Sequence, residues 1–141
     1  GTLNHILVWD ITWLQRFALH REGFNSLAPI LKWISPTSHD QIICEDLDML
    51  QARRVQMDEI IESFIQETSD ADYVSTFRYV ISTGEMFHRN FGGILQHLFN
   101  HQTHHRGQVT TLLTQHGYDP GVTDLLATLP DLSPEDETCQ T

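Results

Sequence analysis

HLFNHQTHHRGQVTTLLTQHG, residues 97–117, holds four of the nine histidines of this chain within nine consecutive positions. Apolar residues recur through this stretch at helical spacing, and Gly117 follows the last of them as a C-cap. Pro120 then blocks any continuation of the helix. We therefore predict a long helix that begins near Glu85, or after the Gly92-Gly93 pair, and ends at His116.

The four histidines share one face of this predicted helix. Because successive residues advance by about 100°, His97, His101, His104 and His105 fall within roughly a quarter-turn of the helix surface. His101 and His105 are four residues apart, the spacing at which a helix presents two imidazoles to one zinc ion. The alternative is a polar seam whose histidines form hydrogen bonds across a helical bundle. The pattern alone leaves both interpretations open.

Neighbouring residues exclude two classes of metalloenzyme. A zinc peptidase needs a glutamate beside the first histidine as its general base, and this chain has Gln102 at that position. A di-iron bundle needs two Glu-x-x-His pairs and two further glutamates. The chain has one such pair, formed by Glu85 and His88. A metal site on this helix therefore belongs to another class.

A third ligand must come from outside the pair of His101 and His105. By residue type the candidates are His5, His20, His39, His88 and any carboxylate, above all Asp10. Asp10 lies on the apolar stripe of the first predicted helix, where a charge is costly unless it is paired. It is either a ligand or the partner of an arginine such as Arg106, and the sequence leaves this choice open.

The first half of the chain predicts two helices. Residues 2–20 form a helix that is apolar nearly all round, which indicates burial on several sides within a bundle. Residues 21–39 contain glycine and proline and are predicted to be a connection. An amphipathic helix capped by Ser38 or Asp40 then extends to about Glu67.

The remaining segments complete a single small domain. Residues 69–83 alternate apolar and polar positions, which indicates extended structure. A chain of 141 residues is long enough for one domain and too short for two comfortable ones. We therefore expect one domain over residues 1–128, followed by an acidic and frayed tail over residues 129–141.

Composition limits the partners of this chain. Eight Lys and Arg residues against 19 Asp and Glu residues give a net charge of −11. This balance argues against nucleic-acid binding and against a polybasic membrane surface, which both need clustered cations. We find no apolar run near the roughly 20 residues of a membrane span and no signal peptide. Cys44 and Cys139 are expected to be free thiols of a reducing compartment, so we expect a cytoplasmic protein.

Two segments resemble the DinB family of DinB/YfiT-like metalloenzymes. They are the opening GTLNHILVWDITWLQRF and the stretch HLFNHQTHHRGQVTTLLTQHGYDPGVTD, whose N-H-x-x-x-H-R-G-Q core is quite specific. The resemblance implies an all-α, up-down four-helix bundle that binds one divalent metal through three histidines. In this chain those histidines match His5, His101 and His105. His97, His104 and Gln102 are then expected to support the ligands rather than to bind the metal.

The start of the chain departs from the family pattern. Family members usually begin with a helix before the one that carries the first histidine. We expect this chain to lack that first helix, to have a short extended arm before its last long helix, and to form a homodimer that covers helix one.

The resemblance also implies a type of chemistry. Related proteins include transferases and isomerases that use low-molecular-weight thiols, so we expect thiol-dependent transferase chemistry on a small molecule. Zinc and nickel both suit imidazole ligands. Arg106 and Asp10 are the candidate catalytic residues. The alternatives are a metal-dependent hydrolase and a helical dimer that binds metal without catalysis.

Overall fold

A computed structural model describes residues 1–20 and 23–131 of the chain. Its α-helices and β-strands are, in chain order, α1 (Thr2–Phe17), α2 (Leu47–Glu67), α3 (Asp70–Tyr73), β1 (Thr76–Val80), β2 (Met86–Asn90) and α4 (Phe91–Gln115). Short 3₁₀ turns lie at Asn25–Leu27, Ile30–Lys32 and Leu125–Thr128. Gly1–Val109 and Thr110–Thr141 form two separate compact units. The three histidines that match the family pattern all belong to the first unit.

The prediction of an all-α four-helix bundle is wrong, because β1 and β2 pair as an antiparallel hairpin. The register runs from Thr76 opposite Asn90 to Val80 opposite Met86. The expected extended arm is therefore a one-turn helix followed by one strand of a two-stranded sheet. The alternation in β1 explains the strand, since Phe77 is fully buried between exposed neighbours.

The first helix is buried on several sides, as its sequence predicts. Its buried residues are Ile6, Leu7, Val8, Asp10, Ile11, Trp13, Leu14 and Phe17. Phe17 packs against Phe64 of α2, Phe77 of β1 and Phe91 at the start of α4, with ring centroids 5.3–5.7 Å apart. These aromatic contacts fix the ends of three elements around α1.

Two amides of α1 hold the long connection between α1 and α2 in place. The Asn4 side chain accepts hydrogen bonds from the backbone N–H groups of Ile43 and Cys44 at 2.8 and 2.9 Å. The Gln15 amide donates to the carbonyls of Ile30 and Trp33. The connection therefore lies along α1 rather than in solvent.

The second long helix begins later than predicted. Its N-cap is Asp46, whose carboxylate accepts a hydrogen bond from the N–H of Met49 at 2.7 Å. Ser38 donates to Asp40 instead of capping a helix. Residues 40–46 thus extend the connection, and this places the backbone near His39 beside α1.

The described residues of the second unit are the last turns of α4 and the chain to residue 131. Gly117 follows α4 with φ +82°, the left-handed conformation that a glycine C-cap provides. Most of the expected tail, like Cys139, lies outside the described residues.

Cys44 is a buried free thiol. In the described part of the chain, no helix combines the length and the apolar character that a membrane span requires.

Candidate metal centre

Three histidines from two helices meet at one point. His5 of α1 and His101 and His105 of α4 each place one potential ligand atom within 4.8 Å of the others. The Nε2 atoms of His101 and His105 face each other at 3.1 Å. The His5 ring lies 5.4 Å from the His101 ring and 4.6 Å from the His105 ring, between centroids. The four-residue spacing and the packing of α1 against α4 together build this cluster.

Hydrogen bonds orient two of the three imidazoles. Nδ1 of His5 donates to the backbone carbonyl of His39 at 2.8 Å, and Nδ1 of His105 donates to the side-chain oxygen of Gln108 at 2.7 Å. A carbonyl oxygen only accepts, so these contacts assign the proton to Nδ1 and leave the lone pair on Nε2. Outer hydrogen bonds of this kind fix histidine ligands in many metal sites.

The third imidazole, His101, is held in its neutral form. Burial, together with the neighbouring imidazoles of His105 and His5, lowers the pKa of His101 to about 4. Its Nδ1 atom is buried without a hydrogen-bond partner in the described part of the chain. A metal ion binds neutral imidazole, so the environment of His101 favours the form that a ligand needs.

In the metal-free protein, His101 is expected to stay neutral from pH 7 down to about pH 5, because its pKa is about 4. In the unfolded chain an ordinary histidine, with a pKa near 6.5, binds its proton first. Stability is therefore lost as the pH falls from about 6.5 to about 4. An NMR titration of the His101 C2 proton, assigned by its absence in His101→Gln, measures the midpoint. A midpoint near 6.5 would contradict the burial of this ring.

The spacing of His101 and His105 fits two ligands of one tetrahedral ion. With Zn–N distances of about 2.0–2.1 Å and a tetrahedral angle, two imidazole nitrogens on one ion lie about 3.3 Å apart. The observed distance of 3.1 Å between the Nε2 atoms of His101 and His105 is close to this value. Three protein ligands leave a fourth position open, as in catalytic rather than structural zinc sites. A cavity of about 300 Å³ leads to the cluster, and its wall consists of Gly1, Thr2, His5, Asp40, His105 and Gln108.

A buried polar network of Asp10, Gln102 and Arg54 lies next to the histidine cluster. Asp10 is fully buried, and Gln102 donates to it from the helical turn between His101 and His105 at 2.9 Å. Arg54 of α2 forms the ion pair with Asp10 and also contacts Asp58 at 2.6 Å. Burial raises the pKa of Asp10, and the Arg54 guanidinium opposes that rise. The network joins α1, α2 and α4 at the level of the metal ligands.

The structure places Asp10 and Arg106 differently from the pairing considered in the sequence. Arg54 is the partner of Asp10, whereas Arg106 donates to Thr103 at 3.1 Å. Arg106 lines a groove of about 330 Å³ with Arg54, Asp58 and apolar residues of α1. It does not line the cavity that leads to the histidines.

The other histidines occupy positions around the cluster or away from it. His97 is exposed, with its ring 5.7 Å from that of Trp13. His104 is exposed and accepts a hydrogen bond from the Gln108 amide at 3.2 Å. His20 contacts the Ser75 hydroxyl at 3.1 Å.

His39 contributes its backbone carbonyl rather than its ring, which stacks on Trp9 at 4.4 Å. His88 lies on β2 opposite Arg78. Of the five side chains considered as a third ligand, only His5 joins the cluster found among residues 1–20 and 23–131.

Sequence reasoning missed three contributors to this centre. Gln108 carried a signal, because it lies three residues after His105 and so shares its face of the helix. The His39 carbonyl could not be predicted, because every residue has a backbone carbonyl and the residue type does not show which of them accepts a hydrogen bond. Arg54 lies on a helix that is predicted to be amphipathic, where a charged residue is expected on the exposed side, so its contact with Asp10 could not be recognised.

One comparison with known proteins identifies a family. The model of the DinB family matches residues 1–136, nearly the whole chain. Neither a curated protein nor a solved structure matches this chain. The matched range includes all three clustered histidines and the network behind them. This chain belongs to the DinB family.

Proposed function

We propose that this protein is a metal-dependent enzyme of the thiol-transferase type, acting on a small molecule. The observation that supports this proposal is the cluster of His5, His101 and His105, which fits one divalent ion with a coordination position left open. We propose zinc or nickel as the ion, because imidazole suits both. The cavity beside His5 and His105 gives small molecules access to that position.

The protein's own residues orient two of the ligands, and the surroundings of the third ligand, His101, keep it neutral. When bound, a divalent ion in this position supplies a positive charge that converts a thiol to its thiolate. The His39 carbonyl and Gln108 hold the rings of His5 and His105 with their Nε2 lone pairs directed away from those acceptors. Gln102 and Asp10 fix the helical turn that carries His101.

The proposal also covers the architecture around the centre. We propose a cytoplasmic protein with one domain over residues 1–128 and a tail over residues 129–141. We propose a homodimer, in which a second copy of the chain is the partner.

Binding of a small thiol to the cobalt-loaded protein tests the proposed chemistry. Adding 2-mercaptoethanol is expected to produce a thiolate-to-cobalt absorption band in the near ultraviolet, because the open position takes sulfur as thiolate. Ethylene glycol, its oxygen analogue, and the His101→Ala, His105→Ala double variant are the controls, and neither is expected to give the band. No band at thiol concentrations up to about 10 mM would overturn the thiol-dependent assignment.

A further inference from the structure

Another cleft, of about 500 Å³, runs along α1 next to the histidine cluster. Its wall contains Trp9, Trp13, Tyr79, His39 and Arg16, with the hydroxyl groups of Thr12, Thr37, Ser38 and Ser82 among them. The chain has 19 acidic residues, yet none of them is among the described residues that line this cleft. The fixed charge of the wall is therefore the positive charge of Arg16.

The guanidinium of Arg16 packs against two aromatic rings of the cleft wall. It lies 4.9 Å from the ring centre of Trp13 and 5.3 Å from that of Tyr79. Within the described part of the chain, it forms no ion pair and no side-chain hydrogen bond. A guanidinium carries five N–H donors in a planar fork, so those of Arg16 can bind a ligand in the cleft. Burial lowers the pKa of Arg16, because it removes part of the charge from water.

The cleft and the histidine cluster share a wall. Trp9 lines the cleft, and its ring lies 6.2 Å from His5 and 5.7 Å from His101. His39 lines the cleft as well, stacks on Trp9, and accepts the hydrogen bond from His5. Arg16 follows His5 by eleven residues, about 16 Å along the helix axis at 1.5 Å per residue. A molecule anchored at Arg16 must be elongated to reach the histidines.

We propose that this cleft binds small molecules that carry a terminal carboxylate, which Arg16 holds at its edge. The aromatic side chains pack against the apolar body of the ligand, and the nearby hydroxyls serve as further hydrogen-bond partners. One guanidinium balances one carboxylate charge. A phosphate carries roughly two charges and would remain partly uncompensated in a chain of net charge −11. That the ligand is the substrate of the metal centre rests on the proposed function, whereas carboxylate binding does not.

Calorimetric titration with sodium benzoate tests this assignment. Benzoate is expected to bind the wild-type protein with a Kd of about 1 mM. Benzamide has the same shape without the charge, and is expected to bind at least about tenfold more weakly because it forms no charge-assisted pair. Arg16→Gln is expected to weaken benzoate binding by a similar factor, and Arg16→Lys is expected to give a smaller loss, since it keeps the charge without the planar fork.

A matched control is available at Arg53. This arginine also lies over a tryptophan, Trp33, at 4.8 Å, but it does not line the cleft. Arg53→Gln is expected to bind benzoate as tightly as the wild type. Equal binding of benzoate to wild-type protein and to a folded Arg16→Gln variant would overturn the proposal, as would equal binding of benzoate and benzamide. If Arg16→Gln does not fold, unchanged binding in Arg16→Lys overturns it.

The double variant His101→Ala, His105→Ala separates this proposal from the metal centre. Benzoate binding retained in that variant supports the cleft whether or not the protein holds a metal. Binding lost in that variant but kept in Arg16→Gln would show that benzoate binds a metal ion, and would overturn the assignment to Arg16.

Discussion

Replacing His101 and His105 together with alanine is expected to lower bound zinc or nickel from about one ion per chain to less than about 0.1. The two residues supply two of the three clustered imidazoles, and their Nε2 atoms lie 3.1 Å apart. His5 alone would offer one ligand, and a single imidazole does not retain a divalent ion through purification. Inductively coupled plasma mass spectrometry on untagged protein, prepared without chelators, measures the metal content.

The control for this experiment removes the other two histidines of the same helix face. His97 and His104 are exposed and lie outside the cluster identified in the described chain. The His97→Ala, His104→Ala variant is therefore expected to bind as much metal as the wild type. Little metal in the wild type, even after divalent ions are added back, would refute the metalloenzyme proposal.

The pair of ligands on one helix could be predicted from the sequence, whereas the contacts between residues far apart in the chain could not. The spacing of His101 and His105 follows from helical periodicity alone. The choice of His5 from several candidates came from the family resemblance, because periodicity left its orientation undecided. In the structure, the neighbouring Asn4 clamps the connection by accepting from the N–H groups of Ile43 and Cys44. That clamp depends on a contact across about 40 positions, which no local pattern encodes.

The β-hairpin is another feature that depends on contacts the local sequence pattern does not determine. Phe77 and Tyr79 alternate with polar residues in β1, so this strand was visible as extended structure. The second strand, Met86–Asn90, has one partly buried residue, Phe87, which packs on Tyr79 at 5.5 Å. Its pattern is therefore weak, and the sequence left the start of the last helix open between Glu85 and the Gly92-Gly93 pair, whereas the structure begins it at Phe91. Pairing with β1 decides the outcome, and pairing is a tertiary effect.

Replacing Asp10 with alanine is expected to lower the free energy of unfolding by about 3 kcal/mol. The variant leaves the Arg54 guanidinium without its buried partner and the Gln102 amide without its acceptor. Breaking a buried ion pair from one side costs about 3–5 kcal/mol. The lower end applies because the Arg54 side chain is 30% exposed and keeps its contact with Asp58. Urea denaturation of the metal-free protein, followed by circular dichroism, measures the change.

The matched control removes the other partner of the same arginine. Asp58 is 57% exposed and lies four residues from Arg54 on the same helix, so Asp58→Ala is expected to cost only about 0.3–0.5 kcal/mol. Replacing Asp10, Arg54 and Gln102 together with leucine removes every member of the network and is expected to recover most of the loss, since no buried charge is then left unpaired. An Asp10→Ala variant as stable as Asp58→Ala would show that the network joining α1, α2 and α4 is not what holds the helices together at the level of His101.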